Sequence, residues 1–458
     1  MIALSDLTMH DLITRLKQSL QPLQKQVTTW HIAYSGGMDS HVLLHGLADL
    51  RDSLDLVPLH AIHINHGLSE QANDWERHCQ SVCKQLAIPL QIIKVNAQPV
   101  PGQSPEETAR NVRYDALARA MQDGSCLVTA HHRRDQAETL MLQLLRGGGV
   151  QGTAAMPNVN EFAKGEHVNC THLRPLLDCG HEQLHAYAIA QQLDWVEDDS
   201  NSSTRYDRNY LRHRIMPELR QRWPAVDATL ARVARRHAET AALLNDLAAT
   251  DLISVQTGSP DCLDRVALSS LADARQRNLV RYWLAQQQLA IPGHARLDEV
   301  LRQIHQAGAD TMPCISWAGG EIRRYRNGIY AMQPQPGLDG WQAEPWPDQD
   351  RIQCPDKQGY LERHSNPGNG IRASIWQHAE ISVRYRSGGE TFCPAGHAHH
   401  RSLKNLFQEW AVPPWQRSRI PLLYVDDELA AVIGYRVADK YTASADEPGY
   451  VLQWLYSD

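Results

Sequence analysis

The stretch HIAYSGGMDSHVLLHGL (residues 31–47) places a loop with two glycines between a short apolar run and a segment with helical spacing. A strand, a tight turn and a helix in that order predict the opening of a βαβ unit. Glycine has no Cβ, so the loop backbone can approach an anion, and the following helix directs free N–H groups there. A plain turn capped by Asp39 or Ser40 is the alternative. The complete SGGMDS pattern, with two hydroxyls and a carboxylate, favours a phosphate site.

The same alternation of apolar runs and helical segments continues to about Trp195. The runs are WHIAYS, LVPLHAIHINH, LQIIKVNA, CLVTAHH and HLRPLL, and the helical segments are Met38–Leu50, Gln71–Ala87, Pro105–Met121, Arg133–Arg146 and Glu182–Gln192. This pattern predicts an α/β fold: a Rossmann-like parallel sheet with helices on both faces. Ligands of such sheets bind at the carboxyl ends of the strands, where SGGMDS lies.

The length of 458 residues predicts about three domains. The predicted divisions are an N-terminal α/β domain at 1–215, a mostly helical domain at 216–333 that ends in a β-hairpin turning at Arg326-Asn327-Gly328, a linker or irregular region at 334–370, and a small α+β domain at 371–458.

Composition excludes some classes of protein. The mean hydropathy is −0.46, and no apolar run approaches the ~20 residues of a membrane helix, so we expect no membrane association. Nine cysteines without a CxxC pair predict reduced thiols in a cytoplasm, and they weaken zinc-ribbon and iron–sulfur interpretations. The N-terminal segment has the pattern of an amphipathic helix rather than a signal peptide. The net charge of −7 does not exclude nucleic acid, because local clusters decide binding.

The loop lacks the lysine of a Walker A motif. SGGMDS instead resembles the pyrophosphate-loop motif of the ATP pyrophosphatases, which have an adenine nucleotide alpha hydrolase-like fold and cleave ATP between its α and β phosphates. Four further stretches narrow the resemblance to the tRNA(Ile)-lysidine synthetase family: HINHGL (63–68), ETARNVRYDAL (107–117), AHHRRDQAETLMLQLLRGGGVQG (130–152) and EDDSNSSTRYDRNYLRH (197–213).

The resemblance implies a ligase that forms a C–N bond. In that family, ATP adenylates O2 of the wobble cytidine of tRNA(Ile) with anticodon CAU, pyrophosphate is released, and the amine of L-lysine then displaces AMP to give lysidine. The modified tRNA reads AUA instead of AUG, and its amino-acid identity changes from methionine to isoleucine. The sequence leaves the oligomeric state open, a homodimer being one option.

Asp39 and Arg113 are the predicted catalytic residues. Asp39 would hold the Mg²⁺ that accompanies ATP, and Arg113 would neutralise charge on the α-phosphate. The predicted ATP-binding residues are Ser35, Gly36, Gly37, Met38, Asp39, Ser40, His63 and Arg110. A helix-surface ion pair with Glu107 or Asp115 is the alternative role for the two arginines.

By resemblance, Asp135 and Glu138 would bind the cationic lysine. Three residues apart at a predicted helix start, they lie on one side of the helix. Their alternative roles are an N-cap and a partner of the helix dipole.

The predicted tRNA contacts combine a glycine-rich loop with two basic clusters. They are Arg146, Gly147, Gly148, Gly149, Arg205, Arg208, Asn209, Arg212, Arg384, Arg386, Arg401 and Lys404. Arginine binds phosphates bidentately and neighbouring aromatic rings can stack on unpaired bases. A simple helix C-cap is the alternative for the glycines, and a solvated helix face for the arginines. The rival functions are a tRNA thiolase, an amidotransferase-coupled synthetase and a non-catalytic tRNA-binding protein.

Overall fold

A computed structural model gives the fold of the chain. It describes residues 2–54, 56, 58–65, 67, 71–96, 105–165, 168–197, 204–308, 311–335, 337, 341–357, 359–397 and 399–456. The chain divides into two compact units, Met1–Leu247 and Ala248–Asp458. The predicted domain boundaries at 215 and 333 remain predictions.

The first unit contains a six-stranded sheet and the helices that cover it. Its strands are β1 (Trp30–Ala33), β2 (Leu59–Asn65), β3 (Leu90–Lys94), β4 (Cys126–Val128), β5 (Val159–Gly165) and β6 (Val168–Leu173). Its helices are α1 (Ile2–Leu20), α2 (Met38–Arg51), α3 (Ala72–Gln85), α4 (Pro105–Ala120), α5 (Arg133–Leu145), α6 (Val150–Thr153), α7 (His181–Ala190), α8 (Asp207–Tyr210), a π-helical turn (Leu211–Ile215) and α9 (Met216–Arg222), and α10 (Val226–Val255) continues into the second unit.

The strand order β3-β2-β1-β4-β6-β5 fixes where a ligand can bind. All neighbouring strands are parallel except β5, which pairs antiparallel with β6 at the edge. The order reverses between β1 and β4, so the loops after these two strands diverge and leave a crevice. The SGGMDS loop follows β1, and the paired histidines follow β4.

Side chains alternate along the strands and bury both faces of the sheet. Ala61 packs in a core with α1, α2, α3 and α7, whereas its neighbour Ile62 packs in a second core with residues of α4. Val128 and Leu127 divide between the same two cores. The predicted Rossmann-like parallel sheet with helices on both faces is therefore confirmed, and the antiparallel β5 is an addition that the sequence pattern did not indicate.

In its described residues the second unit combines six helices, most of them short, with several small sheets. Its helices are α11 (Arg265–Ser269), α12 (Asp273–Gln286), α13 (His294–Gln306), α14 (Ile375–His378), α15 (Leu403–Glu409) and α16 (Pro414–Arg417), with a 3₁₀ turn at Asp439–Tyr441. Its strands are β7 (Cys262–Asp264), β8 (Cys314–Trp317), β9 (Gly320–Tyr325), β10 (Gly328–Met332), β11 (Glu344–Pro345), β12 (Arg351–Gln353), β13 (Gly359–Ser365), β14 (Ile371–Arg372), β15 (Ile381–Arg384), β16 (Thr391–Phe392), β17 (Arg401–Ser402), β18 (Leu422–Val425), β19 (Glu428–Val432), β20 (Arg436–Val437) and β21 (Gly449–Tyr456). α12 and α13 are the longest elements of its first part, in keeping with the predicted helical segments, and the last part mixes strands with α15.

The hairpin predicted near residue 326 is present. β9 and β10 pair antiparallel, Tyr325 faces Gly328, and Arg326 turns the chain with φ of 53°.

Residues 334–370 differ from the predicted linker or irregular region. They contain β11, β12 and β13, and Trp346, Ile352 and Leu361 lie in the core of the C-terminal part. The strands are short and are separated by residues typical of turns, such as Pro347, Asp350 and Pro355, which conceals the two-residue alternation in the sequence. Among the described residues, no helix is long and apolar enough to span a membrane.

Candidate active site

The loop after β1 forms an open cradle of backbone N–H groups. α2 begins at Met38, and its N-cap, Gly37, offers no side chain to satisfy the first N–H groups of the helix. The Ser40 hydroxyl donates to the Gly37 carbonyl at 2.9 Å and accepts from the Ser35 N–H at 3.2 Å, while the two serine hydroxyls lie 3.0 Å apart. The serines therefore hold the loop closed on itself and leave the start of the helix available to an anion.

Gly36 is required by two separate features of this loop. Its φ is +86°, and a Cβ there would lie 3.0 Å from Val196 Cγ2 and 3.1 Å from Cys79 Sγ. Its carbonyl also accepts a hydrogen bond from the Val196 N–H at 3.0 Å. The segment at Val196 thus packs directly behind the loop and fixes its shape.

Substitution of Gly36 by alanine is expected to destabilise the protein by about 2 kcal/mol, because left-handed backbone strain adds to the contact with Val196. Gly37→Ala is the matched control: its φ is −76° and the nearest atom to an added Cβ is Ser35 Oγ at 3.5 Å. Urea unfolding of the two variants measures the difference. Equal stability of the two variants would contradict the strain that we assign to Gly36.

Asp39 points from the first turn of α2 toward the histidines after β4. Its Oδ2 lies 3.4 Å from His132 Nε2, and its Oδ1 is buried without a hydrogen-bond partner. A buried carboxylate oxygen without a partner is costly unless a ligand satisfies it. Among the described residues no three His, Cys, Asp or Glu side chains converge on a metal site. Asp39 thus fits the way Mg²⁺ binds with a nucleotide, through one carboxylate and the phosphates.

His132 links this loop to α5. Its Nδ1 accepts from the Arg134 N–H at 3.2 Å, and its Nε2 lies 3.5 Å from Asp135 Oδ2 as well as near Asp39. Burial would lower the pKa of His132, but the carboxylates of Asp135 and Asp39 outweigh burial and raise it. Asp135 in turn accepts from the His132 N–H at 3.0 Å. The N-cap of α5 is therefore His132 and not Asp135, which completes a capping box from the third helical position and uses one of its two oxygens to do so.

Two arginines meet the two predicted lysine-binding acids. Arg208 donates to Glu138 at 3.1 Å and to Asp135 at 2.9 Å. Arg212 donates to both oxygens of Glu138, at 2.8 and 2.7 Å, and to Asp135 Oδ1 at 2.9 Å. Asp135 and Glu138 lie on α5, while the arginines lie on α8 and on the π-helical turn that follows it. We call these four residues the ion-pair cluster.

The ion-pair cluster is largely removed from water. The Glu138 side chain is only 1 % exposed, whereas Arg212 keeps 35 % exposure. Burial would raise the pKa of Asp135, but the positive charges of His132, Arg208 and Arg212 lower it well below its usual range. Burial likewise lowers the pKa of Arg212, and its bonds with Glu138, followed by Asp135 and Asp39, raise it overall. The cluster is therefore charged throughout and electrically balanced.

Arg110 and Arg113 lie on α4. Their guanidinium groups lie 5.3 and 5.4 Å from the centre of the Tyr114 ring. Neither forms an ion pair with Asp115, and the side chain of Glu107 lies outside the described residues. Burial lowers the pKa of Arg113. A half-buried guanidinium without a carboxylate in the described part of the chain is suited to a phosphate.

His63, predicted to bind ATP, supports the loop from behind. Its Nδ1 donates to the Tyr34 carbonyl at 3.0 Å, directly before Ser35, and its ring is 4 % exposed.

The glycine-rich loop has local roles in the structure. Gly147, with φ of +73°, and Gly148 close α5 through bonds to the Leu144 and Gln143 carbonyls. Gly149 is the N-cap of α6. Arg146 is exposed and lies 3.8 Å from Asp207. The C-cap alternative therefore explains two of the glycines, and contact with tRNA stays a prediction.

The remaining residues that were predicted to contact tRNA differ in exposure and in the acids that they pair with. Arg205 is exposed, and Asn209 is half-buried. In the C-terminal part, Arg384, Arg386 and Arg401 pair with Asp427, Glu390 and Glu409, and Lys404 is exposed. Their contact with tRNA is untested. Of the stretches quoted above, His66, Leu68 and residues 198–203 lie outside the described residues.

Models of three known protein domains match successive regions of this chain. A PP-loop domain model matches residues 8–219, a TilS substrate binding domain model matches 263–330, and a TilS substrate C-terminal domain model matches 381–454. The tRNA(Ile)-lysidine synthase of Coxiella burnetii is 41% identical over 92% of this chain and 91% of its own length. This chain belongs to the tRNA(Ile)-lysidine synthase family.

Two further tRNA(Ile)-lysidine synthases are similar over most of their length. That of Methylococcus capsulatus is 38% identical over 93% of this chain and 96% of its own, and that of Alkalilimnicola ehrlichii is 40% identical over 92% of each. In this chain, the region that matches the PP-loop domain model contains both the SGGMDS loop and the ion-pair cluster. Membership therefore supports ATP as a substrate of this chain.

Proposed function

We propose that this chain is an ATP-dependent ligase that joins lysine to C2 of the wobble cytidine in tRNA(Ile) with anticodon CAU. One observation carries the assignment of its site. His132 lies between Asp39 of the SGGMDS loop and Asp135 of the ion-pair cluster, at 3.4 and 3.5 Å. The phosphate loop and the predicted lysine site are thus adjacent parts of a single crevice.

The first step joins the cytosine O2 to the α-phosphorus of ATP, and pyrophosphate leaves. The N–H groups at the start of α2 bind the phosphates, and Arg113 neutralises charge that develops on the α-phosphate. Asp39 would hold the Mg²⁺, which supplies further charge neutralisation for the departing pyrophosphate.

The second step forms the bond between C2 and the ε-nitrogen of lysine, which attacks as the neutral amine and loses a proton to solvent. The bond between C2 and O2 then breaks, and AMP leaves with the oxygen. Asp135 and Glu138 hold the lysine through an ammonium group, which requires them to release part of their contact with Arg208 and Arg212. Holding the amine near C2 supplies most of the rate enhancement of this step, because it makes the attack effectively intramolecular.

Lysine is expected to bind at least about tenfold more tightly when a nonhydrolysable ATP analogue is present. In the free protein two guanidinium groups already balance two carboxylates, so an added ammonium has no free acid to meet. The triphosphate places negative charge beside the ion-pair cluster. Arg208 or Arg212 can turn toward that charge, which frees a carboxylate for the lysine ammonium. Calorimetric titration of lysine with and without the analogue measures the coupling. Adenosine is the control, and equal lysine affinity in all three conditions would contradict this role of the arginines.

The test of function is incubation with ATP, labelled lysine and a CAU tRNA transcript. Label is expected in RNA only when all three are present, with one AMP and one pyrophosphate released per lysine incorporated. A CAU-to-GAU transcript is the matched control and should remain unlabelled. Absence of lysine incorporation, with sulfur transferred to the tRNA instead, would overturn the assignment in favour of a thiolase.

We propose a cytoplasmic location for this reaction. All nine cysteines are free thiols, and seven of them are buried, which is in keeping with a reducing compartment. A homodimer is the oligomeric state to be tested by light scattering.

A further inference from the structure

A continuous chain of hydrogen bonds runs behind the candidate site from Arg174 to His131. Arg174 NH2 lies 3.0 Å from His172 Nδ1, His172 Nε2 lies 2.9 Å from Thr129 Oγ1, and Thr129 Oγ1 lies 2.8 Å from His131 Nδ1. The reaction steps above use none of these four side chains. The chain joins residues after β4 to residues at the end of β6, which are neighbours in the sheet.

The direction of each hydrogen bond follows from the chemistry of arginine. A guanidinium group can only donate, so His172 Nδ1 is the acceptor. A neutral His172 then carries its proton on Nε2 and donates it to Thr129. The threonine oxygen could accept a second bond, but its hydroxyl has no other acceptor among the described residues, so it donates its proton to His131 Nδ1. His131 must in consequence carry its ring proton on Nε2.

Burial keeps the two histidines of this hydrogen-bonded chain neutral. Arg174, His172 and Thr129 are 6, 1 and 6 % exposed. Burial, followed by the charge of Arg174, lowers the pKa of His172 to about 2. Burial also lowers the pKa of His131 to about 3, against a smaller opposing effect of Asp135. Both rings are therefore uncharged at neutral pH.

Arg174 is anchored so that its direction is fixed. Its NH1 donates to the Pro157 carbonyl at 2.8 Å and to Asn160 Oδ1 at 2.6 Å. It forms no ion pair with a carboxylate in the described part of the chain. A buried arginine without an acid is costly, so its retention here calls for a role.

His131, the last residue of this chain of hydrogen bonds, lies directly after β4. His131 directly precedes His132, the residue between Asp39 and Asp135, and its ring is half-buried. None of the described residues accepts a hydrogen bond from its Nε2. Ligands of such sheets bind at the carboxyl ends of the strands, directly after which His131 lies, and the charges of Asp135, Arg208 and Arg113 act on its ring.

We propose that Arg174, His172 and Thr129 are positioning residues that hold His131 as a neutral Nε2–H donor to an acceptor oxygen of the bound substrates. This inference rests on the proposed function. Such an oxygen belongs to the cytosine or to the α-phosphate. A neutral donor can stabilise charge on it without adding a positive charge beside Arg113, Arg208 and Arg212, and it does not need to lose a proton before it acts.

The experiment measures the tautomer of His131 by ¹⁵N NMR of the full chain labelled at histidine. The His131 signals are assigned by their loss in a His131→Asn variant. We expect a bare Nδ1 and a protonated Nε2 in the wild type. Thr129→Val, which keeps the shape but removes the hydroxyl, should yield a mixture of tautomers or the opposite one. It should also lower kcat for pyrophosphate release about 10- to 100-fold.

A conservative variant and a control distinguish positioning from simple packing. Thr129→Ser should restore both the tautomer and most of kcat. Thr153→Val removes another buried hydroxyl, which bonds only to the backbone carbonyls of Gly149 and Val150, and should leave the His131 signals unchanged.

Two results would overturn the proposed role of this hydrogen-bonded chain. The first is a wild-type His131 that is charged or carries its proton on Nδ1. The second is a Thr129→Val variant that keeps both the His131 tautomer and kcat. The expected tautomer in a protein that forms no lysidine would instead reject the proposed function and leave this hydrogen-bonded chain intact.

Discussion

Replacement of Asp39 by asparagine is expected to reduce lysidine formation on the order of a thousandfold while tRNA binding is retained. The substitution keeps the shape of the side chain and removes its negative charge. Asp39 Oδ1 is buried without a partner in the protein, and the proposed function assigns it a bound Mg²⁺ as its partner. Loss of one preorganised electrostatic contact in a site of this kind costs about 10²–10³ in rate, and disturbed placement of the phosphates adds to that loss.

The control for this variant lies on the same helix. Asp49→Asn makes the same chemical change near the end of α2, at a side chain that is 50 % exposed, and should leave the rate within about twofold of wild type. Pyrophosphate release and filter binding of tRNA measure the two activities separately. If Asp39→Asn weakened tRNA binding as much as catalysis, the loop would face RNA rather than ATP.

Glu138→Gln is expected to have two large effects. Because its carboxylate is almost fully buried between two guanidinium groups, removal of the charge leaves positive charge uncompensated. The free energy of unfolding should fall by about 3 kcal/mol, which corresponds to a decrease in Tm of roughly 6–12 °C for a unit of this size. Lysine incorporation should fall on the order of a hundredfold or more, whereas pyrophosphate release from ATP and tRNA should fall far less.

The matched change at a surface pair is Glu182→Gln. Glu182 pairs with Arg134, and its side chain is 76 % exposed, so the expected change in stability is below about 1 kcal/mol. Thermal unfolding compares the two variants, and labelled lysine with labelled pyrophosphate separates the two reaction steps. Equal loss of both steps in Glu138→Gln at a temperature where it is folded would place Glu138 in adenylation instead of lysine binding.

The parts of this molecule that the sequence predicts well are local. The apolar run before Ser35 and the helical spacing after Met38 are contiguous, so strand, loop and helix follow from neighbouring residues. The order of such units then predicts a parallel sheet, because the connections between its strands are right-handed helices. The fold and the SGGMDS loop can therefore both be predicted from the sequence alone.

The ion-pair cluster could not be predicted in the same way. Arg208 and Glu138 are 70 residues apart, and in the sequence the arginines belong to an evident basic segment whose charge suggests RNA. Only the fold shows that two of its members turn inward. The chain of hydrogen bonds to His131 is equally hidden, because Thr129, His172 and Arg174 have no spacing that relates them. A buried polar chain of this kind is visible only when neighbouring strands are paired.

The Gly36–Val196 contact also extends the influence on the SGGMDS loop beyond the motif itself. The Val196 N–H donates to the Gly36 carbonyl, and its side chain lies directly against Gly36. A larger side chain at Val196 would therefore press on the loop from outside the motif and should weaken ATP binding, although valine carries no polar group.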